Sequence, residues 1–198
     1  MLLVSCLGLL YLSRLRAVPR SESMSLRFPL SDGIFSVVQG GASAAINHHR
    51  HVSTQQFAID IVKAAPFGSA RSFLSRDLND FISFSIPVSS PCDATVLEIH
   101  DGIEDSAPFD TRRWRKSAPA GNSVKLECNG TIIFLAHLKK GSLKVSAGQQ
   151  LDQGQLIGLV GNSGNSSEPH LHIHAERDGM GIPMLFDGRF LMRNSVVR

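Results

Sequence analysis

The chain has 198 residues, 42% of them hydrophobic and 19% charged, a balance that fits one globular domain with its own core plus a short extension. Its net charge of +3 is mild, and the only dense basic run, Arg112-Arg113-Trp114-Arg115-Lys116, sits in a polar stretch with a lone Trp, so nucleic acid is not an expected partner. Three scattered cysteines, Cys6, Cys92 and Cys128, exclude a disulfide framework and a cysteine zinc site; Cys92 and Cys128 are left either as one bridge or as two buried thiols.

At the N-terminus, residues 2–12 are nearly all apolar and are followed by Arg14, Arg16 and Arg20. That length suits the apolar part of an export signal and falls short of the roughly 20 residues a membrane-spanning helix needs. The charges follow the apolar run instead of preceding it, and no small-x-small cleavage site stands out. Residues 1–25 are therefore expected to be an apolar leader or membrane-associated anchor with its linker, and 26–198 a single domain.

Beyond residue 26 the pattern is β throughout. Runs rich in branched and aromatic residues recur between turn signals: Ile34–Val38, Phe57–Val62, Phe81–Val88, Ala94–Ile99, Ser123–Glu127, Thr131–Leu135, Leu156–Val160 and Leu171–Ala175. Asn129-Gly130, between Ser123–Cys128 and Thr131–His137, is a strong hairpin signal. Ser69–Phe81 lacks a sustained apolar stripe and reads as a polar excursion rather than a helix. The expected class is all-β, with an antiparallel sheet.

The histidines follow strand parity. His48, His49 and His51 lie in a turn-like segment, Asn47–Ser53, just before Gln55-Gln56-Phe57-Ala58-Ile59-Asp60, where Gln56, Ala58 and Asp60 would share one face. An aspartate in an apolar strand costs free energy unless it is paired or bound to a cation. His137 closes an apolar strand, at a mouth rather than in a core. His170 and His172 flank Leu171 and point the same way if that residue lies on a strand. Asp60, one histidine of the upstream cluster and His172 would form the two-imidazole, one-carboxylate set used by catalytic zinc sites.

These residues resemble a known family. Ser146-Ala147-Gly148-Gln149, Gly154-Gln155-Leu156-Ile157-Gly158, Gly161-Asn162-Ser163-Gly164 and Pro169-His170-Leu171-His172 are similar to the signature of the lysostaphin-type zinc metalloendopeptidases, and Phe134-Leu135-Ala136-His137-Leu138 resembles their strand with its first catalytic histidine. The resemblance runs from about Phe28 to His174. It implies a β fold of the duplicated hybrid motif type, one Zn²⁺ per chain, and cleavage of peptide bonds in bacterial peptidoglycan, at the cell envelope or outside the cell. It assigns His172 and Asp60 to the metal and His137 and His170 to catalysis.

One departure matters. Well-known members place a metal histidine four residues before the aspartate, where this chain has Gln56, a poor zinc ligand. The chain also resembles a subgroup with Asn-x-His upstream, matched by Asn47-His48-His49, in which His49 would supply the imidazole; His48 and His51 are the alternatives. His174 departs from the family's acidic or polar residue, and is expected to be solvent-exposed or to support the ligands, the exposed reading being favoured. Two other functions remain open. Gln56 raises a catalytically inactive member of the fold that binds peptidoglycan or activates another hydrolase. A phosphoryl carrier shares the duplicated fold with facing histidines, but nothing here resembles its phosphohistidine surroundings. No His-Glu-x-x-His helix is present.

Overall fold

A computed structural model describes residues 22–64, 69–70, 76–110 and 117–198. The apolar N-terminal run with Cys6, the basic run 112–116 and part of the expected polar excursion lie outside the described residues. Among the described residues no helix is long and apolar enough to cross a membrane.

Among the described residues fourteen strands form the fold: β1 (Met24–Leu26), β2 (Phe35–Gln39), β3 (Ile59–Lys63), β4 (Pro87–Ser89), β5 (Ala94–His100), β6 (Asn122–Cys128), β7 (Thr131–Leu138), β8 (Gln150–Leu151), β9 (Leu156–Leu159), β10 (Leu171–Arg177), β11 (Met180–Ile182), β12 (Met184–Phe186), β13 (Arg189–Phe190) and β14 (Val196–Val197). The main sheet has the order β14-β2-β3-β10-β7-β6-β5-β8, with β11 added to β10. Small sheets β1-β12-β13 and β4-β9 accompany it, and among the described strands every pairing is antiparallel except that of β1 with β12.

Parity divides the main sheet cleanly. Cross-strand partners share a face, and on one face Ile59 and Ile61, Leu171 and Ile173, Ile133 and Leu135, Val124 and Leu126 are all buried in the core. The opposite face presents Asp60, His172, Ala136, His174, Phe134 and Lys125 to a groove. A one-residue slip of β10 would exchange the two sets, burying imidazoles in the core, so the apolar residues fix the register that displays the polar ones.

The β6–β7 hairpin turns on Asn129 and Gly130, with φ of 51° and 77°, the paired positive values of a type I′ turn. Cys92 and Cys128 are both buried and are disulfide-bonded, their Cα atoms 6.4 Å apart, which closes the question between bridge and free thiols.

Two expected strands differ. Phe81–Val88 yields only β4 at its end; Phe81 makes one isolated bridge to Ala70 and Ile86 follows a turn, so their apolar character reflects burial outside any extended strand. The strand expected over Phe57–Val62 begins at Ile59, because Gln56 has αR backbone closing the 3-10 turn Ser53–Gln55.

Candidate metal centre and its groove

The groove, of about 750 Å³, opens over β3, β10 and β7. Asp60 on β3 and His172 on β10 are register partners, and His172 is also the partner of Ala136 on β7, so its ring stands at the centre of the floor. Oδ1 of Asp60 lies 3.0 Å from Nδ1 of His172, and Oδ2 lies 3.0 Å from Nε2 of His49. The rings of His49 and His172 are 4.6 Å apart at 71°. Burial alone would raise the Asp60 pKa, but the charge of His170 and hydrogen bonds from His172 and His49 hold it well below the usual carboxylate range.

His49 reaches this position from the 3-10 turn His48–His51. Asn47 fixes that turn: its Oδ1 accepts from the His49 backbone N–H at 3.1 Å, while its Nδ2 donates to the carbonyls of Gly41 and Ala58 at 3.0 and 3.1 Å. The buried amide thereby ties the turn to both flanking segments. The His48 ring lies tilted against that of His49, centroids 3.9 Å apart, but is exposed at the rim; ligand atoms of His48, His49 and Asp60 lie within 4.8 Å of one another. His51 is exposed and does not line the groove.

Gln56 takes no part in the cluster. It accepts from Arg50 Nη1 at 2.7 Å and donates to the Gly181 carbonyl at 3.1 Å, clamping the histidine-bearing turn against β11. A Cβ at Gly181 would lie 2.6 Å from the Thr54 carbonyl, so this close approach requires glycine. The expectation that Gln56 shares a face with Asp60 fails because the chain turns before β3.

His170 and His137 stand on the other side of the groove, ring centroids 4.8 Å apart. Nδ1–H of His170 donates to the Glu168 carbonyl at 2.8 Å, and its Nε2 lies 3.7 Å from Asp60 Oδ1. Nδ1–H of His137 donates to the Ser163 carbonyl at 2.9 Å. In both rings Nδ1–H is thus spent on a backbone carbonyl, which leaves Nε2 for other partners. Burial, followed by the charges of His170 and His172, pushes the His137 pKa well down.

Regular alternation would turn His137 away from the face that Ala136 shares with His172. The backbone of His137 is left-handed, φ 61°, which reverses the alternation and brings its ring to the groove. Its N–H donates to the Ala120 carbonyl and its carbonyl accepts from Gly161 N–H, both at 3.0 Å. Gly164, with φ 73°, lets the 161–167 loop press on the backbone of Pro119 and Gly121; any Cβ there would collide.

His174 corrects the favoured reading of an exposed side chain: only 5% of it is accessible. Its Nδ1 lies 3.0 Å from Nε2 of His172, and its ring stacks on Phe134 at 5.2 Å. Sequence reasoning gave no role to Asn47 beyond its place in a motif, although a lone Asn two residues before a histidine is a turn-cap signal. Nothing in the sequence pointed to Arg193, which reaches the groove rim from beyond β13.

The donors suit zinc: imidazole nitrogens and one carboxylate, buried, with no lysine or arginine among the groups that hydrogen-bond to Asp60 or shift its pKa. Spacings of 3.0 Å are compatible with donors that each stand about 2 Å from a common ion.

The model of peptidase family M23 matches residues 85–183, half the chain; His137, His170 and His172 fall inside the match and His49 and Asp60 precede it. An "Uncharacterized metalloprotease" of Buchnera aphidicola subsp. Baizongia pistaciae is 36% identical over 92 residues, 46% of this chain and 21% of that protein. The "Peptidoglycan DD-endopeptidase ShyA" of Vibrio cholerae is 32% identical over 89 residues, 45% of this chain and 18% of that protein. The matched stretches span about a fifth of the length of these relatives. A chain in the crystal structure of a SpoIIIAH and SpoIIQ complex shares the fold, with TM-score 0.50 and 18% identity over 79% of this chain and 94% of that one. The chain, with His172 on β10, His170 just before that strand and a re-aimed histidine on β7, belongs to peptidase family M23.

Proposed function

We propose that the protein is a zinc-dependent endopeptidase that hydrolyses peptide bonds of bacterial peptidoglycan. The observation that carries this reading is the bracketing of Asp60 by His49 and His172 at the floor of a groove whose opposite wall holds His170 and His137. His49, Asp60 and His172 would hold the ion. Zinc there supplies Lewis-acid activation of a water molecule and of the scissile carbonyl.

The remaining work falls to the chain. With Nδ1–H fixed on a backbone carbonyl, His170 and His137 each keep an Nε2 lone pair that can take a proton. Once protonated, the same nitrogen can donate to the developing oxyanion or to the leaving amine. Burial keeps His137 neutral near pH 7, the form a base requires. The peptidoglycan substrate is inferred from the named activity of the Vibrio cholerae relative. Action at the cell envelope or outside the cell follows from that substrate, and the buried Cys92–Cys128 bond supports it, since such bonds persist in oxidising compartments.

The test is release of new amino termini from purified peptidoglycan, with and without a chelator. Zinc-restorable hydrolysis supports the proposal. A folded protein that binds the polymer but neither holds zinc nor cuts it would be the inactive, binding or activating member instead.

A further inference from the structure

His174 is buried beside the metal centre, yet the chemistry above gives it no task. Its Nδ1 faces Nε2 of His172 at 3.0 Å, with the rings inclined at 75°, and its own ring lies against Phe134. A contact between two neutral imidazoles needs one N–H and one lone pair, so only two arrangements exist. If His174 carries its proton on Nδ1, His172 accepts at Nε2 and must hold its own proton on Nδ1, aimed at Asp60. That ring cannot bind a cation through Nδ1. If His174 presents the Nδ1 lone pair, His172 donates from Nε2 and its Nδ1 lone pair faces the metal position.

We propose that His174 is a positioning residue, which accepts the Nε2–H of His172 and so holds that ring in the tautomer able to ligate through Nδ1. The inference rests on the assignment of His172 as a ligand under the proposed function. Only 5% of His174 is accessible and its ring lies on Phe134, so its Nδ1 is held against Nε2 of His172. Without a cation, a bare Nδ1 on His172 would oppose a bare carboxylate oxygen, so the metal-free protein favours the other arrangement. Loading then exchanges tautomers in both rings: each proton leaves Nδ1, each ring regains one at Nε2, and no net proton is gained or lost. The ring that stacks on Phe134 supplies packing; the acceptor is the separable part.

Zinc affinity measured by competition with a chelator, on wild type, His174→Phe and His174→Gln, tests the inference together with ¹⁵N spectra of histidine-labelled wild type. Phe keeps the apolar stack and removes the acceptor, and is expected to weaken zinc binding roughly 10–100-fold. Gln restores an acceptor oxygen and is expected to recover most of that loss, which a purely structural role would not produce. The spectra are expected to show the His172 proton on Nδ1 without zinc and on Nε2 with it. Should Phe fail to fold, the Gln variant and the wild-type spectra decide. Unchanged affinity in the Phe variant overturns the inference while leaving the ligand assignment standing, whereas a loaded protein in which His172 keeps its proton on Nδ1 overturns both. A wild type that binds no zinc overturns both.

Discussion

Asp60 and His172 sit directly opposite each other in the pairing of β3 with β10, and Oδ1 of one lies 3.0 Å from Nδ1 of the other. Residues 112 positions apart are thereby joined by backbone register, not by a loop. Because Ile59, Ile61, Leu171 and Ile173 are buried on the reverse face, the hydrophobic core holds this polar pair in place.

Removing a ligand and removing a proton carrier should have different consequences. Asp60→Asn and His172→Ala are expected to lose stoichiometric zinc. His137→Ala and His170→Ala are expected to retain it while hydrolysis falls about 10²–10⁴-fold. Metal analysis alongside peptidoglycan hydrolysis checks this, and a fully loaded His172 variant would contradict it.

The three upstream histidines separate in the same way. His49→Ala is expected to abolish zinc binding, whereas His48→Ala and His51→Ala retain it, since only the His49 ring contacts the Asp60 carboxylate. Loss of zinc in the His48 variant with retention in the His49 variant would move the ligand to the rim.

Gln56 should matter for stability and not for metal. Gln56→Ala removes partners of Arg50 and of the Gly181 carbonyl, and is expected to cost about 1–3 kcal/mol in urea unfolding with zinc content unchanged. Zinc lost in a folded Gln56 variant would contradict this separation.

The metal-free protein should be acid-sensitive from near neutrality. His137, His172 and His174 all have folded pKa values lowered chiefly by burial, so the unfolded chain takes up protons first as pH drops. Their contribution is complete above about pH 6.5 and falls below it, by up to about 1.4 kcal/mol per pH unit for each histidine. Asp60, also lowered, contributes above its unfolded value near 3.8 and loses that contribution at more acid pH, in the same direction. Urea midpoints between pH 8 and 5 are expected to decline with falling pH; a flat profile would contradict the burial of neutral rings.

Cys92 and Cys128 are 36 residues apart in sequence. Reduction is expected to cost about 2–4 kcal/mol through the freed unfolded chain. Denaturant midpoints with and without a thiol reductant measure it, and identical midpoints would show that the bond adds nothing.

Signals confined to a few neighbouring residues were legible in the sequence. Asn129-Gly130 sets its own turn, and His170 and His172, on either side of Leu171, both reach the groove. The groove face of β10 followed from strand parity, but the burial of His174 did not, because it depends on Phe134 from β7 across the sheet. Phe81–Val88 misled, since branched and aromatic residues fill a core equally well from turns. Gln56 sat out of register because the Ser53–Gln55 turn delays β3. The short strands β1 and β14 carry no periodicity of their own and exist through long-range pairing with β12 and β2, whereas β11 and β13 close two-residue hairpins on Asp178-Gly179 and Asp187-Gly188. The reversal at His137 is a single backbone angle, fixed by Ala120 and Gly161 and invisible to pattern.

Anomalous diffraction at the zinc edge, from crystals of the zinc-loaded protein, tests the central claim most directly. One peak bonded to His49 Nε2, an Asp60 carboxylate oxygen and His172 Nδ1, each at about 2.0–2.2 Å, is the expected result. A peak elsewhere, or none at Asp60 in a folded protein supplied with zinc, would contradict the account.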